Sequence, residues 1–551
     1  MRRAIAAALL MAALICGALA TGASSDAVAK AHQRPNIIVI QTDDQNAPET
    51  YQTYTDPLSG RRVPVMPNTL RLLKDGGISF SRYYVSDSLC CPSRTTLLTG
   101  RYAHNTGVEG NGPVGGGYPE FTQRSAYNNN LAPWLRRAGY RTIHIGKFLN
   151  FYGQQPYSDP TQIPPGWSDW ETLVGEDSTH YFYGYSLNDN GTLTGPYGDI
   201  TYATKDDPSC PESAVLGTPC NYQTDVLTQR AVEQIGQSSA IGKPFFLSLD
   251  YIAPHGDYQP PSGPEPAPRY YNSLASLPVP RPPGFNEGNV SDKPSFIRAA
   301  PLLTPGEIHS IKVEYQKELE SLRSVDDGVQ KIVTALREAG QLRNTYILFT
   351  SDNGFFQGEH RLQRAKFLAY EPSTHLPLFI RGPAIKRASS SGELAANTDL
   401  APTILELAHA KATASIDGRS LLPFIHDPKL RTQRPILLEG FTSTVDVPTA
   451  RAGGASASIE APPENYFGIR VGPYKYIEYA DGEKELYDLA RDPYELNSEQ
   501  RNPRFYAVKG FLKRRLYLLE NCRGEGCRKP IAKPLPQPKP LHPKHHHNHN
   551  H

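Results

Sequence analysis

Four short apolar segments constrain the fold of this chain more than any other feature of its sequence. Each is rich in β-branched or aromatic residues and lacks the polar alternation of a half-exposed strand, which predicts strands buried on both faces of a parallel sheet. The four segments are residues 36–42, 141–145, 244–249 and 344–350. Stretches with helical, amphipathic periodicity lie among them at residues 131–139, 224–235 and 307–339. Such alternation predicts an α/β fold with a largely parallel sheet covered by helices on both faces.

Polar side chains follow each of these predicted strands. Asp43 and Asp44 follow the first segment, Lys147 the second, His255 the third, and Asp352 and Asn353 the fourth. Ligands bind at the carboxyl edge of open α/β sheets, so we expect these side chains to meet at one site.

The residue types at this edge suit a metal ion and an anionic ester. Three carboxylates and an amide, from Asp43, Asp44, Asp352 and Asn353, are hard oxygen ligands that suit Ca²⁺ or Mg²⁺ better than zinc. The candidate cations near them are Arg94, Lys147 and Lys366, and His255 is a candidate proton donor. A metal with several fixed cations stabilises the charge that develops on a tetrahedral oxyanion ester. The sequence therefore predicts a sulfate or phosphate ester as substrate.

Residues 88–100, Ser-Leu-Cys-Cys-Pro-Ser-Arg-Thr-Thr-Leu-Leu-Thr-Gly, form the most unusual stretch of the chain. The pattern predicts a loop that enters a short helix ending at Gly100. A cysteine at a helix N-terminus beside Arg94 is favoured as a nucleophile or as part of an anion site. A buried cysteine pair or half of a disulfide is the other interpretation, and the stretch alone leaves both open.

The other cysteines fall into two local pairs once Cys16, in the N-terminal apolar run, is set aside. Cys210 with Cys220 and Cys522 with Cys527 lie in polar loops, which predicts local disulfides in an oxidising compartment, with free or metal-binding thiols as the alternative. Cys90 and Cys91 remain. Vicinal cysteines seldom bond to each other because the ring is strained.

The ends of the chain and its charge indicate an exported protein with no nucleic-acid partner. Met1-Arg2-Arg3 and the apolar run that follows are typical of a secretory signal peptide, so we expect a secreted or periplasmic protein. No other segment is apolar enough to cross a membrane. The formal net charge of +2, without a basic stripe in the body of the chain, argues against a nucleic-acid partner.

The pattern along the chain predicts four parts. They are a signal peptide at residues 1–30, a catalytic domain at 35–425, a C-terminal subdomain at 426–528, and a disordered Pro/Lys/His-rich tail at 529–551. Strand-like runs at 466–471, 474–479 and 485–489 predict an antiparallel sheet in the C-terminal subdomain.

The ordered motifs resemble those of the sulfatase family. Cys90-x-Pro92-Ser93-Arg94, continued by Leu97-Leu98-Thr99-Gly100, is similar to the sulfatase signature, and Asp43-Asp44, Gly146-Lys147, Pro254-His255 and Asp352-Asn353-Gly354 match other family motifs. The resemblance covers residues 35 to 490. It implies an alkaline-phosphatase-like α/β fold with a large mixed, mainly parallel sheet flanked by helices, plus a smaller C-terminal antiparallel-sheet subdomain.

The resemblance further implies a modified nucleophile. In sulfatases the signature cysteine is oxidised to Cα-formylglycine by a formylglycine-generating enzyme that reads the proline and the arginine. The matching residue is Cys90, because Pro92 lies two positions beyond it, and Cys91 occupies the variable position. One hydroxyl of the hydrated aldehyde attacks sulfur, and the second then expels sulfate.

Roles for the remaining site residues follow from the same resemblance. Ca²⁺, with Mg²⁺ as the alternative, would be bound by Asp43, Asp44, Asp352, Asn353 and the oxygen of the modified Cys90. The diol and the sulfate would be held by Arg94 and Lys147. The leaving group would be assisted by His255 and Lys366. The loop of Lys366 also offers His360, Arg361 and Arg364 for that last role.

One departure from the family pattern follows Lys147. Many sulfatases have a histidine two residues beyond this lysine, whereas this chain continues Phe148-Leu149-Asn150, so an active-site histidine is missing and Asn150 or His104 is a candidate replacement. Within the family, the chain is most similar to the N-acetylglucosamine-6-sulfatase branch. Four motifs carry this similarity: Gly146-Lys147-Phe148-Leu149-Asn150-x-Tyr152-Gly153, Cys90-Cys91-Pro92-Ser93-Arg94, Tyr102-x-His104-Asn105 and Asn521-Cys-x-Gly-x-x-Cys527.

The sequence thus leads to one hypothesis and two alternatives. The hypothesis is an exported, Ca²⁺-dependent hydrolase of sulfate esters, on sulfated sugars or aryl sulfates. The alternatives are a phosphomonoester or phosphonate ester hydrolase of the same superfamily, and a non-catalytic protein that binds sulfated glycans.

Overall fold

The computed structural model describes residues 34–175, 179–198, 221–257, 263–442, 465–531 and 534–540. The predicted signal peptide, the Cys210–Cys220 pair and the histidine run of the tail lie outside these residues. Across the described part of the chain, every helix is too short or too polar for a transmembrane span.

The strands of the described residues are numbered in chain order. They are β1 Asn36–Asp43, β2 Thr53–Thr55, β3 Arg62–Pro64, β4 Ile78–Phe80, β5 Tyr83–Tyr84, β6 Arg141–Gly146, β7 Asp169–Leu173, β8 Tyr185–Asp189, β9 Thr192–Tyr197, β10 Phe245–Pro254, β11 Thr345–Ser351, β12 His375–Leu376, β13 Phe379–Arg381, β14 Ser389–Ser391, β15 Ala395–Ala396, β16 Ile436–Gly440, β17 Tyr466–Val471, β18 Tyr474–Tyr479 and β19 Lys484–Asp488.

Ten of these strands form one large mixed sheet in the order β14-β4-β13-β11-β1-β10-β6-β7-β8-β9. The central strands β11, β1, β10, β6 and β7 are parallel, so the four strands expected from the sequence are neighbours. Antiparallel pairs lie on both sides of them, β11 with β13 and β13 with β4 on one side, β7 with β8 and β8 with β9 on the other. They make the sheet mixed, as the resemblance implies, although the sequence pattern did not mark these strands one by one. The predicted α/β class with a mainly parallel sheet is confirmed.

Helices cover both faces of this sheet. Those of seven or more residues are α1 Cys90–Thr99, α2 Gly117–Gln123, α3 Leu131–Arg137, α4 Gln223–Ile241, α5 Pro305–Glu338, α6 Leu400–Leu407 and α7 Tyr506–Leu519. Alternate residues of β1 point to opposite sides: Ile38 and Ile40 pack in the core with α4 and α5, whereas Ile37 and Val39 pack in the core with α1, α3 and α6. Both faces of β1 are buried, which is why its sequence is apolar without alternation.

A second, four-stranded antiparallel sheet lies in the C-terminal part in the order β16-β17-β18-β19. Its residues Leu437, Ile469 and Val471 pack with Leu512 and Leu516 of α7 in a separate core. Cys522 and Cys527 form the predicted disulfide at the edge of that core. The C-terminal antiparallel sheet is confirmed; the exact domain boundaries stay predictions.

Lys475 of β18 joins this small sheet to the catalytic body. Its fully buried Nζ lies 2.8 Å from Glu371 Oε1 and 2.7 Å from Glu495 Oε1, and it donates to the Ala369 carbonyl. Burial raises the pKa of Glu371, but the charges of Arg470 and Lys475 outweigh this and hold that pKa far below its usual value. The cation therefore compensates two carboxylates at the junction of the sheets.

We expect Lys475→Met to lower the free energy of unfolding by about 3–5 kcal/mol, because it leaves buried carboxylates without their shared cation. Urea denaturation at neutral pH measures this. Lys484→Met is the matched control in the same sheet: its Nζ lies 3.6 Å from Glu478 in a partly exposed pair, and its loss costs under about 1 kcal/mol. Equal destabilisation by the two variants would contradict this role of Lys475.

Candidate active site

Arg94 lies at the point where the carboxyl ends of four parallel strands meet. Its guanidinium donates from Nε to Asp352 Oδ2 at 2.9 Å, from Nη2 to Asp43 Oδ2 at 3.2 Å, and from Nη1 to Asp250 Oδ1 at 3.3 Å. Nη1 also donates to the Lys147 carbonyl at 3.0 Å. One buried cation thus joins the ends of β1, β6, β10 and β11.

Helix α1 places Arg94 and both cysteines at this edge. Every residue of the helix is buried, and it ends at Gly100, whose φ of 68° is a left-handed conformation that favours glycine. Ser93 Oγ donates to the Asp352 carbonyl at 2.5 Å, which fixes the first turn against the end of β11. Cys90 and Cys91 are both buried, with their sulfurs in the thiol form.

The two cysteines have different surroundings. Cys90 Sγ lies 3.7 Å from Asp43 Oδ1 and 3.2 Å from Lys366 Nζ, among the charged groups. Cys91 belongs to the apolar core on the helix side of the sheet, and its Sγ accepts from the Asn150 backbone N–H at 3.2 Å. Only Cys90 faces the cluster of carboxylates.

Asp44 contacts three further residues that the sequence predicted for the site. Its Oδ1 accepts from Lys366 Nζ at 2.7 Å and from Asn353 Nδ2 at 2.5 Å, and its Oδ2 lies 3.6 Å from His255 Nε2. His255 Nδ1 lies 2.7 Å from the Gly256 carbonyl. Since a carbonyl only accepts, Nδ1 carries the proton in the neutral ring, and Nε2 faces Asp44 with its lone pair.

His180 also belongs to the site, although sequence reasoning missed it. Its Nε2 lies 3.2 Å from Lys147 Nζ, which in turn lies 2.5 Å from Asp43 Oδ2. The ring packs on His255 with centroids 4.9 Å apart. His180 lies between β7 and β8, outside the four strands that the sequence predicted. No local pattern in the sequence marks it as a site residue.

The two replacements considered for the missing histidine are not at the reaction centre. Asn150 packs with Cys91, and its side-chain Oδ1 lies 3.5 Å from the Cys91 sulfur. His104 binds Glu439 at 2.7 Å and the Cys522 carbonyl at 3.1 Å, beside the C-terminal subdomain. The histidine that lies beside Lys147 is His180.

Asp250 is the other residue that sequence reasoning left out of the site. It lies in β10, its Oδ1 accepts from Arg94, and its Oδ2 accepts from Ser248 at 2.6 Å. Asp250 directly follows the apolar segment 244–249 in the sequence, but the motif recognised there is Pro254-His255. Its contacts indicate that it orients Arg94.

Burial and charge shift the pKa values of these groups in opposite directions. Burial raises the pKa of Asp43, but the charges of Lys147, His255 and Arg94 outweigh it and hold that pKa well below its usual value. Burial, and then the charge of Asp43, raise the pKa of Asp352 to about 7. Burial, and then Asp43, raise the pKa of Cys90 to about 12, so its side chain is a protonated thiol at neutral pH.

The donor set fits a hard divalent cation. Ligand atoms of Asp43, Asp44, Cys90 and His255 lie within 4.8 Å of one another. Asn353 Oδ1 is buried without a hydrogen-bond partner beside them, and the lone pair of His255 Nε2 faces a carboxylate oxygen. Several acceptors that face one another in a buried cluster suit a bound cation, and the majority of oxygen donors suits Ca²⁺ or Mg²⁺.

The structure thus brings together all nine residues that the sequence predicted for the site. They are Asp43, Asp44, Cys90, Arg94, Lys147, His255, Asp352, Asn353 and Lys366, and all are buried. Of the rivals of Lys366, His360 binds Glu287, Arg361 binds backbone carbonyls and Arg364 binds Glu314. The chemical roles of the nine residues stay predictions.

Comparisons with known proteins agree with this geometry. The family model described as Sulfatase matches residues 35–410. An arylsulfatase of Volvox carteri is 32% identical over 91% of this chain and 77% of the relative. The N-acetylglucosamine-6-sulfatase of Homo sapiens is 31% identical over 91% of this chain and 87% of the relative.

Solved structures share the fold. A protein in complex with its substrate D-glucosamine-2-N,6-O-disulfate superimposes with a TM-score of 0.66 at 23% identity, covering 88% of this chain and 97% of the other. The phosphonate monoester hydrolase of Agrobacterium radiobacter gives 0.63 at 22% identity, covering 88% and 95%. These likenesses confirm the predicted large mixed sheet with a small antiparallel subdomain.

Proposed function

Because the chain belongs to the sulfatase family and is a hydrolase of sulfuric esters, we propose that its nucleophile is residue 90, after conversion of Cys90 to Cα-formylglycine. The observation that carries this proposal is the position of Cys90. It begins a buried helix, 3.7 Å from Asp43 and 3.2 Å from Lys366, at the only metal-type cluster of the described residues. Maturation then requires a formylglycine-generating enzyme as a partner, in an exported protein.

The surroundings of Cys90 argue against the thiol itself as nucleophile. A thiol attacks as its thiolate, and burial together with Asp43 disfavours that charge. One hydroxyl of a hydrated formylglycine attacks sulfur, and the S–O bond to the alcohol breaks as the alcohol takes up a proton and leaves. The second hydroxyl then loses its proton, and the C–O bond to sulfate breaks, which releases sulfate and restores the aldehyde. Asp43 Oδ1, 3.7 Å from the Cys90 sulfur, is placed to accept a hydrogen bond from such a hydroxyl.

The remaining residues hold the ester and its developing charge. Arg94 and Lys147 fix Asp43, and Lys366 lies within reach of both Asp44 and position 90. Fixed cations at this point stabilise the negative charge of the sulfate oxygens in the transition state. His255, with Nδ1 bound to the Gly256 carbonyl, presents Nε2 for proton exchange with the leaving oxygen.

Ca²⁺ would be held by Asp43, Asp44, Asp352 and Asn353, together with the oxygen at position 90. There the ion would supply Lewis-acid stabilisation of the sulfate oxygens.

We expect EGTA to abolish hydrolysis of an aryl sulfate and to lower the melting temperature, since four acidic or acceptor groups then lie buried without a shared cation. Calcium, added back, restores both. Full activity in EGTA with an unchanged melting temperature would contradict a calcium site.

His180 positions Lys147 against Asp43. We expect His180→Ala to lower kcat by about 10- to 100-fold, the usual cost of removing a partner that orients a site residue. His180→Gln restores part of the rate, because its amide can still accept from Lys147. The exposed His309, changed to Gln, serves as control and keeps wild-type kcat. Wild-type kcat for His180→Ala would contradict the role.

For the substrate, we propose a sugar sulfated at the 6-position of N-acetylglucosamine. Support comes from the relatives of that name and from a structural neighbour bound to a 6-O-sulfated glucosamine. The test measures kcat/KM on 6-O-sulfated N-acetylglucosamine, an aryl sulfate and the matched aryl phosphate. We expect the sugar sulfate to be hydrolysed fastest. Faster turnover of the aryl phosphate than of the aryl sulfate would instead favour a phosphoester or phosphonate hydrolase.

A further inference from the structure

A groove lies at the edge of the large sheet opposite to the active site. Its main cavity has a volume of about 630 Å³. Four arginines line it, from the C-terminal end of α5 (Arg337), the turn before β11 (Arg343), the end of β13 (Arg381) and the loop that follows (Arg387). Strand β11 begins beside this groove and ends at Asp352, so the groove and the reaction centre are separated by about 20 Å.

Among the described residues, those that line this cavity include no acidic side chain. Arg381 Nη1 donates to the Leu72 carbonyl at 3.0 Å. Within the described residues, no ion pair involves Arg337, Arg343, Arg381 or Arg387. Arg337, Arg343 and Arg387 are exposed and Arg381 is half-buried, unlike Arg94 and Arg434, which are buried and bind carboxylates.

Two neighbouring arginines disfavour the charge of Arg381. Burial lowers the pKa of Arg381, and the charges of Arg387 and Arg337 lower it further. Cations that converge on a concave surface without carboxylates repel one another unless an anion lies between them. Planar guanidinium groups bind tetrahedral oxyanions through paired hydrogen bonds.

The groove continues into a smaller and more apolar cavity of about 280 Å³. Pro383 and Ile385 line both cavities. The second is lined by Tyr346, His409 and Leu422, and by one carboxylate, Glu406. A cationic cavity that continues into a more apolar one suits a ligand that carries anionic groups on rings with apolar C–H faces. The main cavity alone has the size of a small-ligand site, which spans about 300–1,000 Å³.

We propose that this arginine groove is a second, non-catalytic site that binds a sulfated saccharide. It deepens the proposed function, on which it rests, because polymeric sulfated glycans present further sulfate groups beyond the one that is hydrolysed. The sulfate groups pair with the guanidinium groups of Arg343 and Arg387, and the sugar rings pack on Pro383 and Ile385. Binding at the groove raises the local concentration of a polymeric substrate.

The test uses isothermal titration calorimetry with persulfated maltose, with unsulfated maltose and inorganic sulfate as comparison ligands. All proteins carry Cys90→Ala, so that no ligand is consumed. Arg343→Glu/Arg387→Glu is expected to remove one binding event or weaken it by at least about 10-fold, which corresponds to the loss of charged hydrogen bonds. Arg514→Glu/Arg523→Glu makes the same change of net charge on the exposed C-terminal subdomain and leaves this event intact.

Equal weakening by both double variants, or no weakening by either, would overturn the proposal, and so would equal binding of inorganic sulfate and persulfated maltose. The same double variants with Cys90 intact, assayed on a small aryl sulfate, show whether each protein is folded and active. We expect unchanged kcat there, with a raised KM for a polymeric sulfated glycan only in Arg343→Glu/Arg387→Glu. If no protein hydrolyses the aryl sulfate, the proposed function fails. The calorimetry still shows whether the arginine groove binds persulfated maltose.

Discussion

Cys90→Ala is expected to reduce hydrolysis of an aryl sulfate by about 10⁴-fold or more, the scale found when a covalent nucleophile is removed. The variant keeps the helix, because alanine suits a helical position and the Cys90 sulfur contacts the side chains of Asp43 and Lys366. Its melting temperature therefore stays close to that of the wild-type protein. Initial rates with purified protein, at equal concentration of folded enzyme, measure the loss.

Cys91→Ala is the matched control one residue away. Cys91 packs in the apolar core and accepts a hydrogen bond from the Asn150 backbone. Its replacement removes buried volume and destabilises the protein modestly, by about 1–2 kcal/mol, but leaves turnover within the same order of magnitude. A reversed pattern, with Cys91→Ala inactive and Cys90→Ala active, would mean that the nucleophile is the other cysteine.

Arg94→Gln is expected to have the largest effect on stability. The guanidinium compensates Asp43, Asp250 and Asp352, all buried, and its loss leaves three carboxylates without this partner. Breaking even one buried ion pair typically costs about 3–5 kcal/mol, so we expect at least that loss in the free energy of unfolding, together with loss of turnover. Chemical denaturation and initial rates measure the two effects separately.

Arg94→Lys separates charge from geometry. Lysine keeps the positive charge but lacks the fork that reaches Asp43 and Asp352 at once, so we expect stability between those of the wild type and of Arg94→Gln, with turnover still strongly reduced. Wild-type stability and activity in Arg94→Gln would contradict the position of Arg94 at the junction of four strands.

The parallel centre of the fold was predictable because its physical cause is local. Strand β1 is buried on both faces, so Ile37, Ile38, Val39 and Ile40 are all apolar and the run is recognisable without knowledge of its neighbours. The convergence of the strand ends followed from the general rule for α/β sheets. The edge strands, such as β9, have exposed and mixed residues, and tertiary pairing rather than sequence periodicity determines them.

The candidate site was predictable to the extent that its residues follow recognisable strands. Asp43, Lys147, His255 and Asp352 each do so, and the structure brings them together. His180 was missed because it reaches Lys147 from outside those strands, through a contact between residues 33 positions apart. The arginine groove was missed for a similar reason, since Arg337, Arg343, Arg381 and Arg387 belong to four separate segments of the chain.

The most direct test is mass spectrometry of the tryptic peptide of residues 83–94, from active protein purified from its native host. We predict an aldehyde at position 90, which a hydrazine reagent labels, and an unmodified thiol at Cys91. The labelled fraction should rise and fall with specific activity across preparations. Fully active protein that contains only unmodified cysteine at position 90 would contradict the formylglycine nucleophile.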